Sequence, residues 1–458
     1  MSDAHEAVLA ALSWNPSAPG SVLLRLLACD RRRVRRNVAE RRDLPEAVVD
    51  AILADPDPSL RMEFAGSARA DPAQRARLLD DPSWKVVMSL AMGPVLYRGR
   101  AEPLPDWVYE RLLAHPEPRV RHETVTSSPV PAHLLARLAD HTDGRLRQAA
   151  CRAWDILPGA TQDALLDDPD PQVRHAAALR VCHRDAERTT WPAEELADPW
   201  AGEALGFGLL SRELAERMVA ERPASVAPNP SLPPDLVRQL ATHPDPYVRL
   251  LVSARRELTE RERAAIDYTV DPEARLGTLG WVWAARDNPD VLRQCATSAH
   301  TWLRRSAAVC PELAPELVEL LAQDDDFAVR LLLCEFHPEA PPELLLDLYL
   351  EQTHRAVEML VNNPLFPAAG LAARFATAED HRQRRLALRD PGLTAESLEA
   401  FTRDPECRWE AARDPRLPLP RLRELLADPD MTSSAAGNPG LPAEDMHRLL
   451  DAAGVPAR

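Results

Sequence analysis

NPSLPPDLVRQLATHPDPYVRLLVSAR, residues 229–255, decides how the chain folds. Pro233 and Pro234 open a stretch in which Leu236, Val237 and Leu240 recur at helical spacing, and a first helical turn tolerates the N–H donors that proline lacks. His243-Pro244-Asp245-Pro246 ends this first helix, helix A. Asp245 stands where an N-cap belongs, Pro246 opens the following helix B, and Val248, Leu251 and Val252 form its apolar stripe. The stretch therefore predicts two short helices joined by a proline-punctuated turn.

The same frame returns as DPDPSLR (55–61), HPEPRVR (115–121), DPDPQVR (168–174) and, more loosely, DDDFAVR (324–330). From Arg35 to Arg61, Arg121 to Arg147, Arg249 to Arg275 and Arg304 to Arg330 the step is 26 residues each time. Helix B commonly stops at Asn-Pro or a near equivalent, as at Asn15-Pro16, Asn229-Pro230, Asn288-Pro289, Asn363-Pro364 and Asn438-Pro439, because proline disfavours helical geometry in the residue before it. Helices of roughly ten residues are not stable alone in water, so each must bury its stripe against the next unit. The expected fold is all-α: a right-handed α-solenoid of about 15–16 two-helix repeats with a period of about 26 residues. At about 8–10 Å per packed layer it forms a curved rod on the order of 130–150 Å along its contour.

The frame D-P-x-V-R-x-x-x-A-x-N-P-x-x-P-x-x-L-L resembles the leucine-rich repeat variant proteins, and its Asp…Val-Arg half is similar to HEAT repeats. The resemblance extends over nearly the whole chain and implies a right-handed α-solenoid that binds macromolecules. This repeat is slightly longer than that family's, which predicts full α-helices where the family alternates α and 3₁₀. Some members of the family hold an iron–sulfur cluster on N-terminal cysteines; the first 150 residues here contain only Cys29, so no cluster and no other cofactor is expected.

Composition agrees with thin helical layers. Hydrophobic residues make up 45% of the 458 but aromatics only 5%, and a formal net charge of −16 argues against nonspecific phosphate binding by the whole surface. Seven scattered cysteines make no disulfide framework and are expected to be reduced. The opening residues lack a basic, then apolar, signal pattern and no run of some 18 apolar residues occurs, so a cytoplasmic monomer without membrane contact is expected. The frame fades over 184–228, which divides the chain into N-terminal repeats (1–183), an irregular insert or hinge (184–228) and C-terminal repeats (229–458).

Several clusters are candidate sites. The arginine after each valine reads as a rung of a structural Asp–Arg ladder rather than as a phosphate stripe. RRRVRRNVAERR (31–42), with Arg31, Arg32, Arg33, Arg35 and Arg36, suits an acidic partner or a nucleic-acid backbone, although residues 1–50 balance eight arginines with seven carboxylates. Residues 312–351 hold eleven carboxylates, Asp324, Asp325 and Asp326 among them, against the single base Arg330, which suits a basic peptide or protein. Trp302 and Trp409 are expected to be exposed anchors. Trp281, Trp283, Arg286 and Asp287 invite comparison with HEAT-like alkylpurine DNA glycosylases. There a tryptophan such as Trp283 stacks on a cationic base and an aspartate such as Asp287 stabilises it. That comparison supplies the alternative, a nucleic-acid-binding or glycosylase-type protein. No metal-ligand spacing, P-loop or nucleophile motif occurs, so the leading expectation is a non-catalytic scaffold that holds a protein or peptide partner on its B-helix surface.

Overall fold

The computed structural model describes residues 3–94, 102–184, 205–206, 208–351 and 358–456, and among them all regular structure is helical, with no strand. The helices are short, typically eight residues, and the turns explain why they begin where they do. Asp57, Asp143, Asp245 and Asp380 each accept a hydrogen bond from the backbone N–H two residues on, at 2.8–3.0 Å, which satisfies a donor that the first turn leaves free. The residue two places earlier braces the cap in turn. Asp55 accepts from Asp57 N at 2.9 Å, while the ring nitrogens Nδ1 of His115, His141 and His243 play the same part at 3.1, 2.9 and 3.1 Å. Asp-Pro-Asp-Pro and His-Pro-Asp-Pro are thus two spellings of one turn.

Helix A starts differently. Pro19, Pro45, Pro105, Pro131 and Pro233 stand extended at its N-cap without a side-chain bond, and their carbonyls accept the first helical N–H groups. Most elements are α-helical, with 3₁₀ segments at Cys151–Ile156 and Leu360–Asn362.

The chain forms two compact units. Unit 1 comprises residues 1–177 with 369–458, and unit 2 residues 178–368. The irregular stretch expected at 184–228 lies partly outside the described residues. From Leu205 onward it joins a core, because the helix Arg212–Glu221, capped by Ser211, buries Leu214, Ala215 and Met218 against Leu236, Leu240 and Val248.

Unit 1 is built from α1 (Asp3–Trp14), α2 (Gly20–Leu27), α3 (Arg32–Ala39), α4 (Glu46–Leu53), α5 (Pro58–Ala65), α6 (Pro72–Ala76), α7 (Trp84–Met92), α8 (Asp106–Leu113), α9 (Pro118–Ser127), α10 (Ala132–Ala136) and α11 (Gly144–Ala150), followed by further helices and the C-terminal segment. The B helices α1, α3, α5, α7, α9 and α11 pack one on the next, as do the A helices α2 on α4 and α8 on α10. In the C-terminal segment His381–Leu388, Arg408–Ala412 and Thr432–Ala436 continue the B row, and the last of these packs on α1. Ala443–Ala452 packs on α2 and α1. The last helix of the chain and the first therefore stand together as one A and B pair.

At this junction the two ends of the chain are bonded as the interior helices of unit 1 are. The Asn438 amide donates to Ala412 O and Asp414 O, both at 2.8 Å; that of Asn15 donates to Ala436 O and Asn438 O at 2.9 and 2.8 Å; Arg41 donates to Ser13 O and Asn15 O at 3.1 and 2.7 Å. One buried ladder runs through both termini. Arg25 clasps the junction from the other side, reaching Asp451 at 2.6 Å, Pro456 O at 3.2 Å and Val455 O. Those carbonyls are presented by a turn at Gly454, whose φ of +73° suits glycine and lets Val455 N bond back to Leu450 O at 2.9 Å.

Candidate binding face

The Val-Arg arginines are consumed by packing. Arg61 reaches Asp81 at 2.7 Å, Arg147 reaches Asp168 at 2.7 Å, Arg304 reaches Asp324 at 2.6 Å and Arg384 reaches Asp404 at 2.8 Å, each partner lying 20 or 21 residues ahead in the following turn. The same guanidinium also donates to the carbonyl six residues before it, as Arg147 does to His141 O at 2.8 Å and Arg304 to Ser298 O at 3.0 Å. Each rung thus ties its own turn to the next, and the Arg147 hydrogen bond holds the Asp168 carboxyl below the usual carboxylate range.

The cluster at 31–42 divides in the same way. Arg35 is a rung to Asp55 at 2.5 Å, Arg36 pairs with Glu40 and Glu63 at 2.8 and 3.3 Å, and Arg31 lies near Asp30 and Glu6 at 3.4 and 3.9 Å. Arg32 and Arg33 are exposed and form no ion pair among the described residues.

The acidic cluster of 312–351 is partly spent within the fold. Asp324 is the rung to Arg304, and Asp326 caps the helix Phe327–Phe336 while pairing with Arg305 at 2.8 Å. Burial raises the Asp326 carboxyl, but the hydrogen bond and charge of Arg305, the Val329 N–H and the Arg304 charge together outweigh it and hold the group low. Glu316 pairs with Arg293 at 2.7 Å and Glu351 with Arg330 at 2.8 Å; Asp325 stays exposed.

Trp302 is not an exposed anchor. It is 7% accessible, because it packs in a core with Leu250 and Ala254 while its indole N–H donates to Gly277 O at 2.8 Å. Trp409 is 36% accessible beneath the Arg408 guanidinium, 4.3 Å from the ring centre. Trp283 is 44% accessible with Arg286 at 5.4 Å, while Asp287 is exposed beside the Asn288-Pro289 turn, where Asn288 caps the next helix.

Unit 2 also buries a Ser–His contact. His300 Nδ1 accepts from Trp302 N at 3.2 Å, so Nε2 carries the proton and donates to Ser253 Oγ at 2.8 Å. Ser253 in turn donates to Leu250 O at 2.7 Å, so His300 has no lone pair left to activate it as a nucleophile. Burial, with Tyr268 stacked 4.4 Å away, pushes His300 down to about 4. The thiols of Cys295 and Cys334 are pushed up to about 12 by burial and are inert at neutral pH.

One register position was missed from the sequence. The residue just before the apolar–Arg pair is Arg33, Ser59, Arg119, Arg145 and Gln172 in unit 1, with Lys85 in the matching place before Val86-Val87. In unit 2 it is Tyr247, Glu273, Trp302 and Ala328. Aligning the frames and reading that column alone would have found it. Arg33, Lys85, Arg119 and Arg145 are exposed, each at the second residue of its B helix, where the helix dipole disfavours a cation by about 0.3–1 kcal/mol. Helix stability does not account for a cation there.

The A-helix surface is the opposite case. Arg77 pairs with Glu46 and Asp50 at 3.0 and 2.6 Å, Arg111 with Asp80 at 2.5 Å and Arg137 with Glu110 at 2.5 Å, so charge there is neutralised between neighbours. A scan against protein-family models gives no match to this chain, and a search of curated proteins finds none similar to it. Among the described residues no group of three or more His, Cys, Asp or Glu side chains could hold a metal ion, and no helix is long and apolar enough to cross a membrane.

Proposed function

We propose that this chain is a non-catalytic binding scaffold. In this reading it is a right-handed α-solenoid of about 15–16 two-helix repeats of about 26 residues, of the leucine-rich repeat variant or HEAT-like kind, that holds a protein or peptide along its B-helix surface. The observation that carries it is the division of labour among the repeated side chains. Val-Arg rungs and the Asn15, Arg41 and Asn438 amides and guanidinium are spent on stacking, while the position before each apolar–Arg pair takes no part in the ladders and faces solvent in most repeats. The exposed cations at this register, Arg33, Lys85 and Arg119, make no ion pair among the described residues and are available to a partner that spans their helices.

The glycosylase alternative is weaker, because Asp287 is exposed in a helix-capping turn rather than enclosed where it could face a flipped base. The test is affinity capture of the tagged protein from its native lysate, with and without nuclease, read by mass spectrometry. A defined protein recovered in both conditions supports the scaffold. Recovery that collapses with nuclease replaces it with a nucleic-acid binder.

A further inference from the structure

Resting on that scaffold reading, we propose that the B-helix row of unit 1 is a docking strip for an extended acidic peptide with a carboxylate at about every third residue. α3, α5, α7, α9 and α11 pack in succession and present Arg33, Ser59, Lys85, Arg119 and Arg145 at one register. Neighbouring packed helices lie about 9 Å apart, and an extended chain advances about 3.3 Å per residue, so one step of the row spans about three residues.

Arg33, Lys85 and Arg119 form no ion pair among the described residues, and the carboxylates close to them are committed elsewhere. Asp57 accepts from Ser59 N, Glu117 from Arg119 N, and Asp143 from both Arg145 N and His122 Nε2. The capping carboxylates also decide the class of partner. Asp143, bonded to His122 of α9 and to Arg145 N of α11, lies between those two helices and repels a uniformly charged phosphate backbone, whereas a peptide passes an uncharged residue over it. Trp84, exposed beneath the Arg119 guanidinium at 5.9 Å, offers an apolar surface midway along the strip. The screening length at physiological salt is about 8 Å, comparable to the step, so a carboxylate gains mainly from the cation it faces, and the residue over Ser59 faces none.

The probe is a fluorescent 16-residue peptide with Glu at every third position, compared with an isomer carrying the same glutamates in one block. The proteins are the full chain and its Arg33→Glu, Lys85→Glu, Arg119→Glu triple variant, with circular dichroism melting to confirm that both fold. The proposal expects the spaced peptide to bind at least tenfold tighter than the block, the triple variant to lose at least tenfold, and binding to weaken with salt. Equal binding of the two peptides, or an unaffected triple variant, overturns it, as does a 16-nucleotide oligothymidine that binds more tightly than either peptide. Lysate capture separates the two levels: a triple variant that still recovers the wild type's protein partner sinks the acidic strip and leaves the scaffold standing, while a wild type that recovers none sinks the scaffold itself.

Discussion

Unit 1 and unit 2 share one helical frame and differ in what they show to solvent. Unit 1 carries 36 basic against 40 acidic residues, net −4; unit 2 carries 19 against 31, net −12, so most of the chain's −16 lies in the smaller unit. The rungs are alike in both, Arg147 to Asp168 in one and Arg304 to Asp324 in the other. The column before the apolar–Arg pair is largely basic in unit 1, whereas in unit 2 it holds Tyr247, Glu273, Trp302 and Ala328 and no base. What stays the same across repeats is what stacking requires, and what varies is what stacking leaves free.

The largest effect expected is on the rungs. Arg61 and Asp81 are almost fully buried, and Arg61→Ala leaves an unpaired buried carboxylate, costing about 3–5 kcal/mol by denaturant unfolding. One rung of unit 2, Arg249 to Asp267, is looser than the rest, since Asp267 is 93% exposed, and Arg249→Ala should cost only about 1 kcal/mol through its lost carbonyl bonds. Equal costs in the two units would mean that the ladder's strength does not follow burial.

Next comes the junction of the chain ends. Asn15→Ala strips hydrogen bonds from Ala436 O and Asn438 O, and Asn229→Ala does the same to Leu205 O and Gly208 O. Each should cost about 2–3 kcal/mol. An Asn15 variant as stable as the wild type, beside a destabilised Asn229 variant, would show that the termini do not meet as interior repeats do.

The smallest effect is on pH dependence. His300 titrates near 4 when folded and near 6.5 when unfolded, so between those values the unfolded chain binds more protons and stability falls with the pH. Its contribution is complete above about 6.5 and is lost progressively down to about 4. Asp168 in unit 1 is depressed from the ordinary carboxylate value, so its contribution is present above about 4 and is lost only below that. Hydrogen exchange read by mass spectrometry from pH 7 to 5 should therefore loosen the segments around Ser253 and His300 before those around Arg147 and Asp168. Uniform loosening, or loosening that persists in His300→Gln, would remove the distinction.

Much of the architecture was legible in residues 229–255. Proline at the start of each helix, Asp or His before the B helix and Asn at its end act within a few residues, so the sequence displays them directly. The candidate site was legible only in part. Arg32 and Arg33 stood out as charge, but Arg35 and Arg36 looked the same and are spent on Asp55, Glu40 and Glu63. Trp302 misled, because a tryptophan in the first turn of a helix reads as exposed until a loop from another element, here the one carrying Gly277, is known to cover it.

By itself, then, the sequence determined the all-helical class, the pairing of short helices and the arginine frame, because capping and periodicity are local. Tertiary structure decided which carboxylate each arginine meets, that Trp302 is buried, and that Ala443–Ala452 and α1 complete one pair across the two ends of the chain. Those outcomes depend on contacts between residues far apart in the chain, which no local pattern records.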